Sequence, residues 1–203
     1  MSTSIRCGGD VLELAILGFL NEGPLPGHEL RRRVSQLTGY TRPVSDGSLY
    51  PAINRLAKAN LLERRADTDA GPGRYVLTAT TAGRAYLLKR LRRPAQHEIT
   101  DFARFFVVLT FLSELPEVSD QHAVLRRRLE FLEEPASFFY DGNRPLRAED
   151  VADPYRRGML LTACTISSAE RRWLREVLGD DTPETGHTTN DPALEAHLEL
   201  TEH

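Results

Sequence analysis

The stretch VSDGSLYPAINRLAKANLLERR, residues 44–65, decides the fold because it combines a helical pattern with an early proline. Its apolar residues recur at steps of four and three, the spacing of one helical face: Leu49, Ile53 and Leu56. Proline has no backbone N–H and damages a helix interior, but the first turn tolerates it because the N–H groups there have no partners. The pattern predicts a helix that begins at about Ser48, its N-cap, holds Pro51 in the first turn, and ends near Asn60.

The segments on either side predict the remaining elements of a small domain. Residues 11–20 and 27–37 have apolar patterns typical of two helices. After the third helix the period changes to two, and residues 62–67 and 74–78 predict a β-hairpin, followed by a helix over 81–91. This order is that of a winged helix-turn-helix, in which the third helix enters the major groove of DNA.

The polar side of the third helix indicates what the domain binds. The N-terminal end of a helix carries unpaired N–H groups and a partial positive charge, both of which suit a phosphate. We expect DNA contacts from this helix, the loop before it and the hairpin; the candidates are Ser45, Ser48, Tyr50, Pro51, Asn54, Arg55, Lys58, Arg65 and Arg74. The alternative is a structural helix whose polar side only faces solvent.

The distribution of charge favours the first of these interpretations. Residues 1–95 hold 15 Lys and Arg against 8 Asp and Glu, a net charge of +7. Residues 96–203 hold 11 against 21, a net charge of −10. A basic half joined to an acidic half indicates one surface for a polyanion and another for a different partner.

The second half of the chain predicts a helical dimerisation domain. Residues 99–115 are apolar nearly all round, and residues 157–178 carry a nearly heptad apolar stripe, so both helices must be covered on several sides. We therefore expect a homodimer. The predicted fold class is mainly α with a small β-hairpin. The predicted domains are a winged helix-turn-helix DNA-binding domain, a helical dimerisation and effector domain, and an acidic, mobile tail, at residues 1–95, 96–179 and 180–203.

Aromatic residues near the junction of the two domains have two interpretations. They pack in the core or the dimer interface, or they line a pocket, since clefts between domains are common sites for apolar ligands. The candidate ligand-binding residues are Phe102, Phe105, Phe106 and Trp173. A pocket of this kind predicts a small aromatic or polycyclic effector.

The N-terminal half resembles the PadR family of bacterial transcriptional regulators. The matching stretches are LAILGFLNEGPLPGHEL, DGSLYPAINRLAKANLLER and RYVLTATTAGR, at residues 14–30, 46–64 and 74–84. The chain departs from the family at Asn60-Leu61, where members usually carry Gly-Leu, and at Asp67 and Asp69 in a turn that is usually basic. The resemblance implies a homodimer built largely by C-terminal helices, and it often implies repression relieved by a small molecule.

Together these observations predict a sequence-specific DNA-binding transcriptional regulator, a repressor that a small ligand releases from a palindromic operator. The alternative is a ligand-independent DNA-binding adaptor whose acidic C-terminal half binds another protein. The sequence contains no motif in a context that predicts an enzyme. We expect no cofactor and no metal site, and the longest apolar stretch, residues 102–112, is too short for a membrane span. We expect a cytoplasmic protein that is nucleoid-associated when bound to DNA.

Overall fold

The computed structural model describes residues 11–38, 46–66, 75–134, 140–141 and 144–180. The N-terminal elements are α1 (Val11–Glu22), β1 (Leu25–Pro26), α2 (Gly27–Thr38), α3 (Asp46–Lys58), β2 (Leu62–Ala66), β3 (Tyr75–Ala79) and α4 (Thr81–Arg92). The C-terminal elements are α5 (Gln96–Thr100), α6 (Phe102–Thr110), a 3₁₀ turn (Leu112–Glu114), α7 (Val118–Glu133), β4 (Tyr140–Asp141), β5 (Arg144–Pro145), a second 3₁₀ turn (Ala148–Asp150) and α8 (Pro154–Leu178). None of the described helices has the length and apolarity needed to cross a bilayer.

The first seven elements form a winged helix-turn-helix, which confirms the predicted fold class. Strands β2 and β3 are antiparallel, with Leu62 opposite Ala79. The short strand β1 joins the other edge of β3, with Leu25 opposite Leu77, and completes a three-stranded sheet. The sequence did not predict β1, because two residues are too few to show a period of two.

Helix α3 begins earlier than the sequence predicts. It starts at Asp46, so Pro51 is the sixth residue of the helix and not a residue of its first turn. The prediction for Pro51 was therefore wrong. Proline has no N–H to donate to the carbonyl of Gly47, four residues earlier. Burial on the inner side of the helix, where Leu49 and Ile53 are almost completely covered, outweighs that one missing hydrogen bond.

The end of α3 explains how the chain tolerates asparagine where the family usually has glycine. Asn60 has a φ of +57°, in the left-handed region. The N–H of Asn60 donates to the Ala57 carbonyl at 3.0 Å, and the N–H of Leu61 donates to the Leu56 carbonyl at 2.9 Å. These two bonds form a Schellman motif, in which asparagine is the usual substitute for glycine.

The apolar segment 99–115 forms two helices and a 3₁₀ turn, and the prediction of one continuous helix was wrong. Asp101 separates α5 from α6 and adopts an extended backbone conformation. Its Oδ1 accepts a hydrogen bond from the Arg104 N–H at 2.9 Å, so Asp101 is the N-cap of α6. The break allows Ile99 and Phe105, on successive helices, both to enter the core.

Helix α1 joins the two halves of the chain in one hydrophobic core. Most of its residues are buried, and it contacts α2, α3 and α4 of the N-terminal half as well as α6 of the C-terminal half. The Phe111 ring lies against Gly18, where a Cβ atom would be 2.5 Å from the ring. Phe19 packs edge-on against the same ring, with centroids 5.1 Å apart.

The tail predicted at residues 180–203 lies outside the described residues, apart from Asp180.

We predict that Gly83→Ala destabilises the protein by about 1–3 kcal/mol or more, because an added Cβ overpacks the junction between α4 and β2. That atom would lie 1.9 Å from the Leu61 carbonyl oxygen, which belongs to the backbone. The matched control is Gly158→Ala in α8, where an added Cβ meets nothing within 4 Å. This control should gain about 0.5–1 kcal/mol from helix propensity. Urea unfolding at one fixed protein concentration measures both, and equal stability of the two variants would contradict the packing at Gly83.

Candidate nucleic-acid interface

The outward side of α3 collects most of the predicted DNA-binding residues. The inner side is held against the core by four buried residues: Leu49, Ala52, Ile53 and Leu56. The opposite side is exposed and carries Ser48, Tyr50, Pro51, Asn54, Arg55 and Lys58. Two further candidates, Ser45 and Arg74, lie outside the described residues.

Strand β2 adds a basic residue to this surface. Arg64 Nη2 donates to Asn54 Oδ1 at 3.3 Å, which links α3 to the wing, the hairpin formed by β2 and β3. Side chains alternate along a strand, so Arg65 lies on the opposite side of β2, where it pairs with Glu63 at 2.6 Å. The sequence candidates include Arg65 and omit Arg64. Arg64 lies two residues after Leu62, so both side chains are on the same side of β2, the side that the sequence pattern assigns to the core. This spacing is the sequence signal that identifies Arg64.

Arg55 forms an ion pair with a residue of α1. Its Nε donates to Glu13 Oε1 in the first turn of α1 at 2.8 Å. The Glu13 side chain is only 14% exposed, whereas that of Arg55 is 55% exposed. The guanidinium therefore lies at the edge of the outward surface, anchored at one nitrogen to a fixed carboxylate.

A neighbouring carboxylate offsets part of the positive charge of the arginines of α2. Glu29 pairs with Arg32 at 2.6 Å and with Arg33 at 3.0 Å. Hydrogen bonds from these two guanidinium groups lower the pKa of Glu29 from 4.5 to about 2. Arg33 also lies 3.4 Å from Glu22 of α1. These pairs leave α2 with less uncompensated positive charge than its three consecutive arginines suggest.

The aromatic residues predicted to bind a ligand are not gathered in one enclosed cavity. Phe105 is fully buried, with the Arg128 guanidinium 4.9 Å from its ring centroid. Phe102 and Phe106 are 43% and 47% exposed, and their ring centroids are 4.5 Å apart. Trp173 is exposed on α8. Of these four candidates, Phe102 and Phe106 are the two that form an accessible aromatic pair.

The described residues contain no group of three or more His, Cys, Asp or Glu side chains arranged to bind a metal ion.

A comparison with protein-family models identifies the domain. Residues 16–89, from within α1 to within α4, match the model of the transcriptional regulator PadR-like family. Residues 16–89 belong to this family. PadR-like proteins are transcriptional regulators and not enzymes. The matched residues include α2, α3 and the hairpin. They also include the three stretches that resemble the family, from residue 16 onward.

Two of the solved structures that are similar to this chain are named as PadR or as a PadR-like regulator. Bacillus subtilis PadR in complex with operator DNA is 22% identical, with a TM-score of 0.38 over 86% of this chain and 98% of that one. The PadR-like transcriptional regulator BC1756 from Bacillus cereus is 14% identical, with a TM-score of 0.39 over 89% of this chain and 99% of that one. A search of curated proteins finds no match.

Proposed function

We propose that the chain is a sequence-specific DNA-binding transcriptional regulator that places α3 in the major groove. The observation that carries this proposal is the exposed polar side of α3 in a domain of a regulator family, with Arg64 of β2 beside it. A helix of this size fits the major groove, where base edges present a distinct pattern for each base pair. The wing then lies next to the backbone of the same duplex.

The residues of this side have different chemical roles. Tyr50 and Lys58 are exposed and suit phosphate contacts, which give affinity without sequence information. The Asn54 amide suits the N6 and N7 positions of adenine, which an asparagine contacts through both of its polar atoms. Arg64 lies against the Asn54 oxygen and limits rotation of this amide.

We propose that the regulator is a homodimer held by α8. One side of α8 is buried in the protomer and holds Leu160, Leu174 and Leu178. Another side is exposed and apolar, and it holds Tyr155, Met159, Ile166, Trp173 and Val177. The spacing of four and seven residues is that of a helix–helix seam, and a second α8 is the partner that repeats it. Two reading helices related by a two-fold axis suit a palindromic operator with half-sites roughly 34 Å apart.

We propose that the regulator is a repressor and that a flat aromatic or polycyclic ligand binds at Phe102 and Phe106 and releases the DNA. Two exposed rings in contact are a surface that such a ligand can cover. Helix α6 packs against α1, so a ligand that moves α6 also moves the DNA-binding domain. The ligand must bind the released form more tightly, since only differential affinity shifts the equilibrium.

Substitutions in the exposed side of α3 should separate affinity from specificity. We predict that Lys58→Ala weakens binding to all duplexes and lowers the salt slope of log K by about 1, as loss of one phosphate contact does. Asn54→Ala should instead lower the preference for the selected sequence. Lys89→Ala, an exposed lysine of α4, is the control. Fluorescence anisotropy over a salt series measures these effects, and unchanged binding in both α3 variants would remove α3 from the interface.

The exposed stripe of α8 gives a test of the dimer with a control on the same helix. We predict that Ile166→Glu converts the protein to a monomer at micromolar concentration, because a charge enters the apolar seam. Leu161→Glu should remain a dimer, because Leu161 is equally exposed, at 45%, but lies on another side of α8. Sedimentation velocity measures the mass of each variant. A monomeric wild-type protein would overturn the proposal.

The effector proposal predicts that Phe106→Ala keeps its DNA affinity and loses the response to ligand. A thermal-shift screen with planar aromatic compounds supplies the ligand, and anisotropy then measures its effect on DNA binding. Phe131→Ala removes a partly buried ring that packs against the core beside Arg128, and it is a control for general loss of packing. A normal response in Phe106→Ala would place the site elsewhere. A screen in which no compound changes DNA affinity would favour the ligand-independent adaptor.

A further inference from the structure

The contact between Glu13 and Arg55 links α1, most of whose residues are buried, to the edge of the proposed DNA-binding surface. Helix α1 is packed on by α2, α3, α4 and α6, so a side chain in its first turn has a fixed position. The Glu13 carboxylate, mostly shielded from solvent, accepts from Arg55 Nε at 2.8 Å. The direction of the Arg55 guanidinium is therefore set by a residue outside α3.

The atoms used in this contact leave a specific set of donors available. A guanidinium has five N–H groups in a planar fork, and Glu13 occupies only the one on Nε. Within the part of the chain that the structure describes, Nη1 and Nη2 of Arg55 have no acceptor. The two Nη groups are a donor pair that matches the O6 and N7 acceptors of guanine in the major groove.

We propose that Glu13 is a positioning residue that directs Arg55 to a guanine base. This inference rests on the proposed function and adds the base that one residue of the site recognises. A free arginine side chain loses rotamer freedom when it binds, and pairing with Glu13 removes much of that freedom before DNA arrives. The contact thus holds the Arg55 guanidinium in one orientation before DNA binds.

The charge of Glu13 decides between a base contact and a phosphate contact. A carboxylate 2.8 Å from Arg55 Nε offsets the positive charge of the guanidinium and repels nearby phosphates. The pair is therefore a weak phosphate ligand, while its hydrogen-bonding pattern toward guanine is unchanged. Removal of the carboxylate should have two opposite effects: weaker discrimination at the guanine and tighter binding to DNA of unrelated sequence. A residue that only supports the packing of α1 on α3 would not produce this combination.

The experiment uses the full-length chain and a duplex that the wild-type protein selects from a randomised library. Guanines in each half-site are replaced one at a time by 7-deazaguanine, which lacks the N7 acceptor. We expect the wild-type protein to lose roughly 5- to 100-fold in affinity at one guanine per half-site. In Arg55→Ala this ratio should fall to about 1, because the contact is absent.

Two nearly isosteric variants of Glu13 isolate the acceptor oxygen. Glu13→Met removes the acceptor, so its ratio should fall to within about twofold of that of Arg55→Ala, and its affinity for unrelated DNA should rise. Glu13→Gln retains an oxygen that accepts from Nε, so most of the discrimination should remain. Glu22→Met is the control, since Glu22 is another acid of α1 that pairs with an arginine of α2. Circular dichroism melting verifies that each variant is folded.

Full discrimination against 7-deazaguanine in Glu13→Met would overturn the inference. If this unchanged ratio came with an equal loss of affinity for both duplexes, Glu13 would only support the fold. Failure of the wild-type protein to select any sequence is a distinct result, because it would overturn the proposed function itself.

Discussion

The burial of helix α1 is the constraint on which the rest of the structure depends. The helix contacts both α3 and α6, and at Gly18 it allows the Phe111 ring to approach the backbone. Two polar contacts near the α4–α5 connection reinforce this junction. Arg90 pairs with the fully buried carboxylate of Glu98, whose Oε2 also accepts from the Ala95 N–H at 2.7 Å. The DNA-binding domain and the C-terminal helices therefore do not rotate independently about a flexible linker.

The C-terminal helices continue this chain of contacts as far as the exposed stripe of α8. Arg128 of α7 is buried and donates two hydrogen bonds to Glu170 of α8, at 2.7 and 2.9 Å. It also donates to the carbonyl of Ile99, at 2.6 Å, at the end of α5. A buried ion pair is stable only in a well-defined geometry, so Arg128 fixes α8 relative to α5 and α6. The direction of α3 is thus connected, through α1 and α6, to the helix that we propose as the dimer seam.

The sequence predicts which faces are buried but not the contacts that depend on tertiary structure. The stripe of Leu49, Ile53 and Leu56 identified the inner side of α3, because apolar periodicity is a direct consequence of burial. The same stripe could not show that packing tolerates Pro51 inside the helix. Likewise, nothing local distinguishes Phe105, buried under Arg128, from the exposed Phe106 one residue later. The pairing of Arg55 with Glu13 joins residues 42 positions apart, which no local pattern records.

We propose that two copies of α3 are held at a fixed separation by a rigid path from α8 through α7, α6 and α1. Electron–electron dipolar spectroscopy tests it directly, with nitroxide labels on cysteines introduced at Ala57, an exposed residue of α3, after Cys7 and Cys164 are replaced by serine. We expect one narrow distance between the labels of the two protomers, close to one turn of DNA, roughly 34 Å, before DNA is added. A broad distribution, or no dipolar signal between protomers, would contradict it.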